Sequence, residues 1–144
     1  MVKYLLFVLF IFSASVLSVG RVNDLCLMNR VKKIEITNIP LYIATRSDIT
    51  EEQLGVYYTY KFVMNDVKDN ESEQLINLLQ MKYIKQERNN SLRWRVYIVS
   101  DEGNKCDLYF DGFGFCGKVN DVNLCFEQNK MIDWIVKKIP LFEQ

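Results

Sequence analysis

Cys116 and Cys125 stand at equal distances either side of Asn120-Asp121 in the run Cys-Gly-Lys-Val-Asn-Asp-Val-Asn-Leu-Cys, and no other feature restricts this chain so tightly. Asn and Asp both tolerate the positive φ of a tight hairpin turn. A turn there pairs Val119 with Val122, Lys118 with Asn123, Gly117 with Leu124, and Cys116 with Cys125. The pair that closes a hairpin is hydrogen-bonded and pairs then alternate, so the cysteines fall at a non-hydrogen-bonded position. Cα atoms there lie about 4.5 Å apart, within disulfide reach. Four cysteines allow three connectivities of two disulfides; where the turn forms, Cys26 and Cys106 are left for the second bridge by elimination. That bridge closes a loop of roughly 80 residues, for which chain entropy predicts about 4 kcal/mol of stabilisation as an upper figure. The competing metal or redox reading lacks support, because no two cysteines are in C-x-x-C spacing and the chain has no histidine.

Paired cysteines belong to an oxidising compartment, and the N-terminus agrees. Lys3 precedes an almost wholly apolar run at residues 4–17, followed by small residues at Ser18 and Gly20 and then Arg21-Val22-Asn23-Asp24. This is the layout of a cleavable secretory signal over residues 1–20, with the cut after Ser18 or Gly20. The alternative, an uncleaved anchor, needs about 20 apolar residues, and this run has about 14. A lipid anchor at Cys26 is disfavoured by Asn23 and Asp24, which stand where a lipobox has small and apolar residues. Removing the leader takes out only Lys3, so 18 basic groups become 17 against 18 acidic. That balance favours neither nucleic acid nor an anionic membrane surface as partner, and no stable membrane insertion is expected after cleavage.

The mature chain, residues 21–144, reads as a single disulfide-stabilised domain. Residues 33–37 alternate as a strand ending near Pro40, and Thr50 with Gln53 caps a short helical turn. Residues 56–64 crowd aromatic and β-branched side chains, with Val56, Tyr58, Tyr60, Phe62 and Met64 on one face at period two; a long strand is expected, with helical continuation from Thr50 as the alternative. Asn70 with Glu73 opens a helix running to about Gln86, with Leu75, Leu78, Leu79 and Lys82 or Tyr83 as its stripe. Residues 89–91 break it. Leu92, Trp94, Val96 and Ile98 alternate with Arg93, Arg95 and Tyr97 in the clearest strand of the chain. A turn at 101–104 leads into a strand at 106–110, the hairpin 115–126 follows, and a last amphipathic helix at 130–139, with Met131, Trp134, Ile135 and Ile139 inward, stops at Pro140. The sum is an α+β domain: a mainly antiparallel sheet of about five strands with two main helices packed on one face.

The lack of histidine removes Ser-His and Cys-His catalysis, and no cofactor or metal is expected. Asp107 and Asp111 fail the calcium-loop register, which would put Tyr109 and Lys118 where carboxylates belong. Asp111-Gly112-Phe113-Gly114 reads better as turn chemistry than as half of a phosphate loop. Paired carboxylates remain: Glu51-Glu52, Asp66 with Asp69, and Asp101-Glu102. All occupy polar turns or helix starts, where acidic side chains are ordinarily solvated. They define the alternative reading of a small carboxylate-dependent hydrolase; an envelope-associated structural protein is a third. Arg93, Arg95 and Tyr97 form the candidate protein-binding patch, since arginine and tyrosine are enriched at interface hot spots. The bland counterpart is a solvated face with cation–π contacts. Tyr109, Phe113 and Phe115 are a second candidate, read more as core.

In general layout the mature chain resembles small uncharacterised exported proteins of Gram-negative bacteria, some of them regarded as periplasmic immunity proteins against secreted antibacterial effectors. The residues that carry the likeness are Ile34-Glu35-Ile36-Thr37, Trp94-Arg95-Val96-Tyr97-Ile98 and Leu108-Tyr109-Phe110-Asp111-Gly112-Phe113-Gly114. The resemblance implies a periplasmic α+β binding protein that occludes a toxin, and no functional residue carries over from it. The expectation is therefore an exported, non-enzymatic protein whose partner is another protein, such as a secreted toxin.

Overall fold

The computed structural model describes residues 19–87 and 91–142. The expected leader up to Ser18, and residues 89 and 90 of the expected break, lie outside the described residues. Strand β1 (Val19–Arg21) leads into α1 (Val22–Cys26), β2 (Val31–Asn38), α2 (Glu51–Val56), β3 (Tyr60–Asn65) and α3 (Asp69–Leu78). Then come β4 (Lys82–Lys85), β5 (Leu92–Ser100), β6 (Lys105–Asp111), β7 (Cys116–Val119), β8 (Val122–Phe126), α4 (Lys130–Lys138) and a 3₁₀ turn (Pro140–Phe142). The eight strands form one antiparallel sheet in the order β1-β4-β8-β7-β6-β5-β2-β3.

Eight strands replace the expected five or so, and the two that the sequence reading lacked are β1 and β4. The helix expected to reach Gln86 ends at Leu78. Lys82–Lys85 is instead a strand, with Tyr83 opposite Phe126 on one side and Gly20 on the other. Leu75 and Leu79 of the stripe are buried as read and Leu78 is half-buried, but Tyr83 and Ile84 fill the gap between β1 and β8 instead of extending the stripe. The start of α3 also differs. Lys68, not Asn70, is the capping position and lends no side chain, while the Ser72 hydroxyl accepts from Val31 N–H at 2.8 Å and ties the helix to β2.

The segment expected to be one strand from Val56 divides. Thr50 and Gln53 make the full reciprocal cap, so α2 takes residues up to Val56. The strand begins only at Tyr60, where Tyr60, Phe62 and Met64 turn half-buried toward the core and Lys61 and Val63 face out. Val56 and Tyr58 are exposed, contrary to the face assigned to them.

The hairpin closes in the expected register, Val119↔Val122 through Cys116↔Cys125, with Asn120 at φ 50°. Cys116 and Cys125 are bridged at a Cα separation of 3.9 Å, and Cys26 and Cys106 at 5.1 Å. Disulfides form and persist in oxidising compartments. Among the described residues no helix is long and apolar enough to cross a membrane.

One large core lies on one face of the sheet. Ile34, Ile36, Val96, Ile98, Leu108, Phe110 and Leu124 meet Leu75 and Leu79 beside α3 and Met131 and Ile135 of α4. Trp134, expected to be inward, is only half-buried. The period of two sends Arg95, Tyr97, Asp107 and Tyr109 to the opposite face. There α2 covers part of the sheet through Leu54, packed with Ile39 and Tyr109 in a second, small cluster. The two long helices share one face, where α1 also contributes Val22 and Cys26 to the core, and α2 sits on the other.

Candidate functional site

Arg93, Arg95 and Tyr97 do share the outer face, and the structure places each among partners from elsewhere in the chain. The Arg93 guanidinium donates to Pro40 O at 3.2 Å, Ile43 O at 3.0 Å and Thr45 Oγ1 at 3.4 Å. It braces the loop after β2. Arg95 makes a two-pronged bond to Asp107, Nε to Oδ1 at 2.8 Å and Nη2 to Oδ2 at 2.9 Å, and lies 3.9 Å from Glu35. Its guanidinium stacks over Tyr97 at 5.1 Å and Tyr109 at 5.9 Å. The Asp107 carboxylate, outweighing burial, holds the Arg95 pKa above its ordinary value. Lys61 adds a 3.1 Å ion pair to Glu35, so the ladder is a cross-strand network linking β3, β2, β5 and β6.

Tyr109 lies at the β6 end of that network, beneath Arg95. Burial first, then the Asp107 carboxylate, push its phenol above the ordinary value. The unfolded phenol ionises near pH 10 while the folded one keeps its proton. The folded state then holds more protons, so stability falls as pH rises past about 10 and goes on falling until the folded pKa is passed. Denaturant midpoints taken from about pH 9 to about pH 11 are expected to decline less in Tyr109→Phe than in the parent. Parallel declines would count against this placing of the proton.

Two of the three carboxylate pairs are brought together: Asp66, Asp69 and Asp101 line one depression around Arg30, which binds Asp69 at 2.6 Å and Asp101 at 2.5 Å. Glu51 stands apart, ion-paired with Lys118. Asp111 serves the turn, as read: its carboxylate accepts from Phe115 N–H at 3.0 Å and Cys116 N–H at 3.1 Å. A depression of about 660 Å³ beside α3 and α4 is lined by the amides of Asn77, Gln80 and Gln128, by Lys82 and Lys130, by the single carboxylate of Glu127, and by Leu78 and Met81.

The feature that the sequence reading did not collect is at one end of the sheet. Among the described residues, eleven large apolar side chains are exposed, and eight of them (Leu41, Tyr42, Val56, Tyr57, Tyr58, Phe113, Phe115, Leu141) lie in segments that meet there. The links between these segments are physical. Leu41 packs on the backbone of Gly112, where a Cβ would collide with it. Tyr42 and Tyr60 hydroxyls lie 3.1 Å apart, Thr59 N–H donates to Asn38 O at 2.9 Å, and Tyr60 meets the Phe142 ring edge-on. Phe113 and Phe115, 71% and 63% exposed, stack on each other at 5.9 Å instead of entering the core. Their turn is pinned from behind, Gly114 at φ 74° and Asn129 Nδ2 donating to Gly114 O at 3.0 Å. Residues 39–45, 55–60 and 112–117 carry no charged side chain. That shared lack of charge is the sequence signal that marks the end.

No protein-family model, curated protein or solved structure matches the chain.

Proposed function

We propose that this chain is an exported, non-catalytic binding protein that acts by protein–protein contact, in the manner of an immunity protein that covers the active site of a secreted antibacterial effector. The observation that carries the reading is the charge-free apolar end. Soluble monomers rarely expose large contiguous apolar surface without a partner for it. Interface cores are depleted in charge and enriched in aromatic residues, as are these loops. The loops are also pre-ordered, which lowers the entropic cost of association: Arg93 holds the 40–45 loop, and Asp111 and Asn129 hold the Phe113–Phe115 turn. Of the Arg93, Arg95 and Tyr97 ladder, Arg93 supports the 40–45 loop from the adjoining face, while Arg95 and Tyr97 tie the strands behind it.

The test is binding of the oxidised mature protein to secreted antibacterial effectors, beginning with any encoded nearby. A one-to-one complex is expected. Phe113→Glu with Phe115→Glu should weaken that complex by about 30-fold or more, the scale of a hot-spot loss, while circular dichroism and the unfolding midpoint stay close to those of the parent. Undiminished binding by the double variant would overturn the apolar end as the contact surface, and failure to bind any effector would overturn the inhibitor reading.

A further inference from the structure

This inference rests on the exported reading and concerns where the leader is removed. Ser18 and Gly20 both offer the small residue that a leader peptidase needs before its cut. The fold separates them. Val19–Arg21 is strand β1, paired Val19↔Ile84, Gly20↔Tyr83 and Arg21↔Lys82, and it shields the edge of β4. A Cβ on Gly20 would stand 2.7 Å from the Tyr83 hydroxyl oxygen and 2.9 Å from its ring carbon, so Tyr83 lies directly on the Gly20 backbone. Tyr83 is 6% exposed and belongs to the main core. The pairing continues into α1, where Arg21 N–H donates to Asp24 at 3.1 Å, Val22 N–H to Met81 O at 3.1 Å and Asn23 N–H to Leu79 O at 2.8 Å. A cut after Gly20 would take away two of the three residues of β1, uncover Tyr83 and leave β4 as an open edge.

We propose that the leader is removed by hydrolysis of the Ser18–Val19 peptide bond, so that the mature protein begins at Val19. Water adds across that bond: Ser18 leaves as the carboxyl end of the leader, and Val19 becomes the new α-ammonium. Gly20 then has a structural task in the mature sheet as the one residue type that fits beneath Tyr83, and it is not a mark for processing.

The experiment is export of the full chain followed by intact mass and N-terminal sequencing of the oxidised product. A product starting at Val19 is the expected result. A product starting at Arg21 overturns the inference and leaves export standing, whereas retention of Met1 overturns both. A second measurement uses chains made to begin at Val19 and at Arg21, both with their disulfides formed. The Tyr83 amide should exchange at least about tenfold faster in the shorter chain, because its strand partner is gone. Equal protection in the two chains would overturn the structural basis of the proposal.

Discussion

Replacing Cys26 and Cys106 together by alanine is expected to cost about 4 kcal/mol of stability, far more than the same change at Cys116 and Cys125. The first bond joins residues 80 positions apart, the second residues nine apart. In the chain-entropy account the long loop contributes about 4 kcal/mol and the short one less than about 3 kcal/mol. The structure widens the gap. Cys26 ends α1, whose Val22 is fully buried, and its bond to Cys106 holds that helix against β6. Cys116 and Cys125, by contrast, lie in strands that are also paired to β6 and β4, so their alignment survives reduction. Urea unfolding of the two double variants checks this. Equal midpoints, or a lower midpoint for the hairpin variant, would show that the bridges do not act through loop closure.

Phe142→Ala is expected to destabilise by about 3–5 kcal/mol, as for other large-to-small changes at fully buried aromatic positions. Phe142 follows the last helix in the 3₁₀ turn Pro140–Phe142, yet it is fully buried. Its ring meets Trp94 at 5.4 Å and Tyr60 at 6.4 Å, both edge-on. It therefore closes the core under β5 and β3, at the end of the sheet that carries the apolar loops. Phe142→Leu should recover part of the loss by refilling some of the volume. If alanine at this position costs less than about 1 kcal/mol, the C-terminal turn is not part of the core, because such a value belongs to surface substitutions.

The elements legible in the sequence are those whose reasons are local. The hairpin about Asn120-Asp121 and the cap made by Thr50 and Gln53 rest on contacts within a few residues. The alternation of β5 and the stripe of α4 rest on period alone, and Trp94, Val96, Ile98, Met131 and Ile135 are buried as read, whereas Leu92 packs in the small cluster of the other face past a register shift and Trp134 is half-buried. Residues 82–85 failed the same reading because Tyr83 fits a helical stripe as well as a strand. What decides between them is Phe126 and Gly20, which lie 43 and 63 positions away. β-propensity expresses packing against neighbours, so a four-residue strand is undetermined until the neighbours are known.

The candidate site divides along the same line. That Arg93, Arg95 and Tyr97 point away from the core followed from the two-residue period. That their donors are taken up by Pro40, Ile43 and Asp107 followed only from the return of the chain. Phe113 and Phe115 were read as core because aromatic residues usually are. The turn held by Asp111 and Asn129 carries them past the end of the sheet, next to a loop some 70 residues earlier in the chain. The sequence by itself determined the Cys116–Cys125 pairing, the Thr50 cap, the hairpin turn and the inward face of the principal strand from Trp94 on, since each depends on φ, hydrogen bonds or periodicity over about ten residues. The tertiary structure alone decided the two added strands, the occupation of the arginines and the gathering of the apolar loops. Those depend on which distant segments share an edge, and the free energy of such a contact exists only once both sides are in place.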